Sequence, residues 1–435
     1  MKFYVAILLI LSLLFSCQKE PVHYDSGSNE AINQWILKNM DDYYFWKINQ
    51  SGHNLSDNPI QFFQNLLHKD DHYSAIVQNM NLASYKNNFE TSFGFDFIQV
   101  KREGSIQAIV TLVVPGSQAE QMGIKRGDVL LKINDLNLNA DISRSVEKIL
   151  NGNSLNLMRK DGKEFKIASA YIAQPGIYKA TTIEVDNKKL GYVYLSHFNF
   201  DSGYDLIREI QKFKTEQVKD VILDLRYNPG GQVSYAAFCA LLLGNVNPTD
   251  RFVNMVGNSK VGKKEYSFID ALSTQPDGYS FKAEDIKSKS LNLSKIYILS
   301  SKQSASASEL MINNLKPYMD VIQIGESTMG KDMASINITS DNETSGNRYK
   351  WIMSPLVYQL FNSKGEGNYK TGLKPQININ EFSAEELYPF GDIRDPLIQA
   401  AVHGEVKLKA GTRKEPTIEV VYRSKTALQM VVDEI

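Results

Sequence analysis

Between Tyr297 and Ser335 the chain reads YILSSKQSASASELMINNLKPYMDVIQIGESTMGKDMAS. A short apolar, β-prone run, Ile296–Leu299, gives way to a knot of alternating serine and alanine. Leu310, Met311, Leu315 and Met319 then recur at helical spacing, and a second apolar run, Val321–Ile324, leads to Lys331 on a glycine-flanked turn. The same alternation precedes it: Lys189–Leu195 reads as a strand, Tyr204–Phe213 as a helix, and Val221–Leu225 as another buried strand. Buried strands alternating with helices predict an α/β core.

Ser304, Ser306 and Ser308 fall where a strand gives way to a helix. A hydroxyl there meets the positive end of the helix, which favours developing negative charge. Lys331 follows the next strand, so the two strand ends can bring a serine and a lysine over one cleft. A lysine serves as base for a serine once burial favours its neutral amine. Ser306-x-x-Glu309 is equally a capping box, in which the serine only satisfies helix N–H groups. Gly325 to Lys331 has the G-x-x-x-x-G-K form of a phosphate loop. Asp332 stands where that loop needs Ser or Thr for magnesium and would repel phosphate, which excludes the nucleotide reading.

Residues 1–17, MKFYVAILLILSLLFSC, have one lysine and a short apolar run, and read as an export signal. Leu14-Phe15-Ser16-Cys17 resembles a bacterial lipobox, which implies lipidation of Cys17, a membrane tether and a place in the cell envelope. Residues 18–28 are polar with Pro, Gly and Ser, a tether. The second cysteine, Cys239, lies in apolar AAFCALLLG and reads as a packed core residue. Forty-eight basic residues balance 49 acidic ones, which argues against a nucleic-acid partner. The six histidines are scattered without ligand spacing, so no metal site is expected. His197 reads as a strand-end residue.

Residues 29–86 are aromatic-rich and helical in pattern, with Ile32, Trp35, Ile36 and Met40 on one face and Pro59 opening a second helix. From Phe93 the period switches to that of strands. Val113–Ala119 and Gly123–Leu130 resemble the turns and strand of a PDZ domain, over residues 88–172. Such a domain adds a peptide as an extra strand. By resemblance, Phe93-Gly94-Phe95 is its carboxylate-binding loop.

Residues 173–402 form the largest region. Val221–Leu225 runs into Arg226-Tyr227-Asn228-Pro229-Gly230-Gly231, and adjacent glycines after a strand let backbone N–H groups approach a ligand, as an oxyanion hole requires. A tight turn alone would use the same residues. Asp224 and Arg226 are expected to brace this loop.

Together, D-L-R-x-N-x-G-G at 224–231, S-A-S-A-S-E at 304–309 and G-K at 330–331 resemble the carboxyl-terminal processing peptidases, the tail-specific protease family. The segments Phe361–Tyr369, Gly372–Pro375 and Gly391–Leu397 are similar to that family's closing segments. The helical N-terminus resembles that of lipoprotein members from Bacteroidetes-like bacteria. The resemblance implies a ClpP/crotonase-like core and a Ser-Lys dyad that cleaves protein or peptide substrates with no cofactor. It places the nucleophile at Ser306, the base at Lys331, and the oxyanion donors at Gly230 or Gly231 together with Ala307. Better-known members follow the lysine with glycine and carry a lysine-orienting glutamine four positions on. Here those positions are Asp332 and Ser335, which makes Ser335 the candidate orienter. In an extended chain Asp332 points away from Lys331. The competing reading is a non-catalytic peptide-binding protein with a degenerate site. Residues 403–435 form an extension, in which Thr417–Tyr422 alternates like an edge strand.

Overall fold

A computed structural model describes residues 24–25, 27–79, 89–142, 145–340, 350–384, 386–404 and 418–424. Cys17 and the leader lie outside them, as do residues 405–417 and 425–435 of the C-terminal extension.

The protease-like region is built on a sheet in the order Ile177–Val185, Lys188–Leu195, Asp220–Asp224, Lys295–Ser300, Asp320–Gly325 and Ile377–Asn378. The first pair is antiparallel and the rest are parallel. Tyr194 stands opposite Asp224, Asp224 opposite Leu299, and Leu299 opposite Ile324. The strands' C-terminal ends therefore align along one edge, where open parallel sheets place their sites. The helices Val233–Leu243 and Ala307–Leu315 are buried along their whole length. An apolar sequence without a polar face, VSYAAFCALLL, has no other place to go. A second sheet, ordered Lys263–Ser267, Arg251–Val256, Leu356–Phe361 and Met333–Ser335, closes the far side.

The PDZ-like unit is a sheet of Phe95–Arg102, Ser105–Val113, Val129–Ile133, Ser154–Arg159 and Glu164–Ala168. Its own core contains Phe97, Val110, Ile133, Leu155 and Ile167. The chain enters and leaves along one two-stranded ribbon, Phe89–Ser92 with Ala170–Ala173. The edge strand expected in the extension is present: Ile418–Arg423 pairs with Phe95–Arg102 in this sheet.

The N-terminal region differs from the helical expectation. Helices Asn29–Tyr43 and Pro59–Leu66 form, capped by Ser28 and Asn58. Ala75–Asn79, however, is a strand, antiparallel to Lys350–Ser354, with Ala75 opposite Ser354. Its β-branched Ile76 and Val77 suit a pleated surface, and its partner lies far along the chain, where local periodicity carries no signal. Trp351 and Met353 complete the cluster formed by Ile36, Met40, Phe62 and Phe63, so this small core is built from both ends of the chain.

A buried ion network joins the PDZ-like unit to the main sheet. Arg226 makes a forked pair with Asp224 (2.7 and 3.1 Å) and reaches Glu381 at 3.1 Å and Asp395 at 2.8 Å. Arg126, from the PDZ-like turn, meets the same Glu381 oxygen at 2.7 Å and the Thr111 carbonyl at 2.6 Å. Burial pushes the Glu381 carboxyl up, but Arg126 and Arg226 more than offset this, and it sits below the usual range. Breaking a buried pair leaves an uncompensated charge, at about 3–5 kcal/mol. Arg126→Ala is therefore expected to lower the unfolding free energy by that order and the urea midpoint with it, whereas Arg394→Ala, at an exposed pair with Asp392, leaves both unchanged. Denaturation followed by circular dichroism checks both.

Candidate active site

The turn between Ser300 and Ala307 is sewn to the glycine loop by its own serines. Ser304 Oγ donates to the Leu225 carbonyl at 2.7 Å, and Ser308 Oγ to the Asn228 carbonyl at 3.0 Å. Ser301 Oγ donates to the Arg226 carbonyl. Those hydroxyls are spent on structure. Ser306 is the residue before the buried helix and sits at φ 52°, ψ −115°. A non-glycine residue there is strained, a state that persists only where the surroundings enforce it.

The enforcing group is Glu309, fully buried one turn into the helix. Its Oε2 accepts the Ser306 N–H at 3.0 Å, the capping-box bond the sequence anticipates. The same oxygen also accepts the Lys331 N–H at 2.8 Å. Oε1 takes the Gly330 N–H at 2.7 Å and the Thr328 hydroxyl at 2.5 Å. One carboxylate thus ties the backbone of the serine to that of the lysine. Burial pushes its pKa up to about 7, against these four hydrogen bonds, which pull it down.

The glycine loop lies against Ser306. Gly230 has φ 110°, and a Cβ there would stand 2.7 Å from the Ser306 Cβ and 2.9 Å from the Ala307 nitrogen, so glycine is required. The Gly230 N–H, one of the expected oxyanion donors, is taken by Asn228 Oδ1 at 2.8 Å. Phe198 pairs with the Gly230 carbonyl and the Gln232 N–H, both at 2.8 Å. In extended backbone the intervening residue points the other way, so the Gly231 N–H is turned from Phe198.

Lys331 is half-buried. The carboxylate of Asp332, the next residue, meets Gln359 Nε2 at 3.4 Å, and burial pushes its pKa up. Ser335 is buried at the end of Met333–Ser335, where its backbone pairs with Leu356.

Tyr73, from the N-terminal region, was not anticipated. Its ring centre lies 6.0 Å from Lys331 Nζ. Burial, then the charges of Glu309 and Asp332, raise its hydroxyl to about 12. Asp71 builds the turn that places it: Oδ1 accepts the N–H groups of Tyr73 and Ser74, and Oδ2 accepts the Tyr44 hydroxyl. The sequence signal was Asp71-His72-Tyr73-Ser74, an Asx turn between helix and strand. His197 is buried, its Nδ1 2.8 Å from Ser196 Oγ, and burial lowers its pKa to about 4. It is a neutral strand-end residue. Cys239 is buried and burial raises its thiol, which rules out a thiolate nucleophile. In the PDZ-like unit, Phe93 and Phe95 are buried, and Gly94 (φ 79°) packs where a Cβ would meet Ser117 at 2.4 Å.

Residues 189–379 match Peptidase family S41, residues 109–155 a PDZ domain, and residues 31–75 the Peptidase S41 N-terminal domain. The chain is 22% identical to the carboxy-terminal processing protease CtpB of Bacillus subtilis (strain 168) over 381 residues, 83% of this chain and 72% of that one. It is 24% identical over 379 residues to a CtpA-like serine protease of Staphylococcus aureus (strain bovine RF122 / ET3-1), covering 86% of this chain and 70% of the other. Among solved structures, an S41 protease from Bacteroides fragilis NCTC 9343 superposes with a TM-score of 0.68 at 23% identity, over 88% of this chain and 98% of that one. At that identity it is the fold that is shared.

Glu309→Gln replaces one acceptor oxygen by a donor that faces N–H groups. It is expected to cut peptide hydrolysis by about a hundredfold or more, while the circular dichroism spectrum stays that of the parent. A carboxyl whose folded pKa is raised from 4.5 to about 7 contributes stability below the lower value, lost as pH rises through the higher one. The fall in melting temperature between pH 5 and 8 is therefore expected to be shallower in Glu309→Gln than in the parent.

Proposed function

The chain belongs to peptidase family S41, and from that premise we propose that Ser306 and Lys331 are its nucleophile and base. It is a serine protease of the carboxyl-terminal processing kind. The observation that carries the residue assignment is the Glu309 oxygen shared by the Ser306 and Lys331 amides.

The Lys331 amine takes the Ser306 proton as Oγ attacks the scissile carbonyl. The carbonyl oxygen becomes an oxyanion, held by the N–H groups of Gly231 and Ala307. Lys331 returns the proton to the leaving amine, which departs as the new N-terminus. Water, deprotonated by Lys331, then attacks the acyl-enzyme; the new carboxylate is released as Ser306 Oγ leaves and takes the proton back from Lys331. The Tyr73 ring lies beside the lysine, its centre 6.0 Å from Nζ. Ser335, in place of the usual glutamine, orients the amine from its position at the strand end. The PDZ domain presents an extended substrate segment along the edge of Phe95–Arg102, with Phe93-Gly94-Phe95 at its end.

The leader and lipobox-like Leu14-Phe15-Ser16-Cys17 support export and attachment through lipidated Cys17. Among the described residues no helix is long and apolar enough to cross a membrane.

The test uses the chain without residues 1–17, incubated with casein from pH 6 to 10 and scored by mass spectrometry of the fragments. The parent is expected to cut. Ser306→Ala and Lys331→Ala are each expected to fall by at least about a thousandfold. Cleavage that survives Ser306→Ala moves the nucleophile elsewhere. In cells, Cys17→Ala is expected to abolish incorporation of a labelled fatty acid; retained label would remove the anchor from Cys17.

A further inference from the structure

The strand Ile418–Arg423 occupies the place where the PDZ domain would receive a peptide. It runs antiparallel to Phe95–Arg102, the strand that follows Phe93-Gly94-Phe95 directly, with Ile418 opposite Arg102 and Arg423 opposite Ile98. Its C-terminal end therefore points toward that glycine loop, the direction in which a bound peptide runs. Past the last pair, the Ser424 N–H donates to the Phe97 carbonyl and the Phe97 N–H donates to Ser424 Oγ, both at 2.9 Å. The hydroxyl in turn donates to Asp96 Oδ1 at 3.2 Å. Tyr422 supplies the anchor. It is 8% exposed, its ring centre is 5.7 Å from that of Phe97, and it belongs to the PDZ core cluster that includes Ile142 and Val146.

The strand also touches the catalytic loop. Arg423 Nη1 donates to Gln303 Oε1 at 2.7 Å, three residues before Ser306, and its guanidinium lies 6.0 Å from the Phe382 ring. The solvent side is held more loosely, by Lys101 and Glu419 at 3.9 Å, both largely exposed.

We infer that residues 418–424 are a tethered occupant of the PDZ peptide edge, and that an extended substrate segment with an aromatic residue at the place of Tyr422 binds by displacing them. The inference rests on the reading that this PDZ domain receives substrate chains. A sheet edge pairs with one strand at a time. A segment of the same chain competes at an effective concentration on the order of millimolar, so a substrate must be abundant or well matched to win. Displacement also cuts the Arg423–Gln303 bond, which couples occupancy of the edge to the loop that carries the nucleophile.

The probe is a fluorescein-labelled peptide copying residues 416–426, followed by anisotropy on the full chain carrying Cys17→Ser. Tyr422→Ala is expected to bind it at least about tenfold more tightly than the parent, because the resident strand loses its anchor while the groove keeps its walls. Lys101→Cys with Glu419→Cys joins a directly opposed cross-strand pair, within reach of a disulfide. The oxidised form is expected to bind no probe, and dithiothreitol to restore binding in the same folded chain. The inference is overturned when Tyr422→Ala binds no more tightly and the oxidised pair binds as well as the reduced one. Casein cleavage by the parent is scored separately. Absent cleavage with responsive binding sinks the protease assignment and leaves the occupant standing; cleavage with unresponsive binding does the reverse.

Discussion

The Glu309 carboxylate is the group on which the cleft depends. Burying it fully carries a penalty of several kcal/mol, and no cation bonds to it among the described residues. Four donors offset that penalty, and they come from both sides of the cleft: Ser306 on one, Thr328, Gly330 and Lys331 on the other. Charge-assisted bonds are short and directional, so they fix the two turns relative to each other. The strained backbone of Ser306 is what this arrangement sustains. The glycines beside it follow from the same closeness. A Cβ on Gly330 would stand 2.3 Å from the Lys370 carbonyl, and one on Gly372 would stand 2.1 Å from that of Thr328.

The fold class was legible because buried parallel strands must be apolar on both faces. Ile296–Leu299, Val321–Ile324 and Val221–Leu225 are apolar in that way. The PDZ domain was legible through turn chemistry, in Pro115-Gly116-Ser117 and Lys125-Arg126-Gly127-Asp128. The site was half legible. The family resemblance pointed to Ser306 and Lys331 as nucleophile and base, and the Asp332 carboxylate that follows the lysine meets Gln359. Glu309 was visible only as a helix cap, since a capping residue that also binds a second loop has no local signature. Tyr73 and the strand Ala75–Asn79 escaped because their partners, Lys331 and Lys350–Ser354, are remote in sequence. Choosing between Gly230 and Gly231 needed the Asn228 side chain, whose direction no pattern reveals.

The second dependency is the charge network around Arg226. Asp224 ends a central strand, Arg226 opens the glycine loop, Glu381 and Asp395 come from the closing segments, and Arg126 comes from the PDZ unit. Tyr192 and Tyr227 cap the remaining lone pairs of Asp224 and Glu381. Such a cluster specifies relative position more than it stabilises, because each charge is tolerable only while its partners are in place. The glycine loop and the PDZ turn therefore share one buried polar support.

The pairing of Ala75–Asn79 with Lys350–Ser354 carries a consequence for the order in which the molecule is completed. The Ser74 hydroxyl bonds to the Leu356 N–H across 282 residues of sequence. Contacts of such separation form late, because the closing entropy of the intervening chain comes first. Tyr73 is adjacent to that bond, and its ring lies beside Lys331. The bond cannot form until synthesis has passed Leu356, so this wall of the cleft is among the last parts of the molecule to be set.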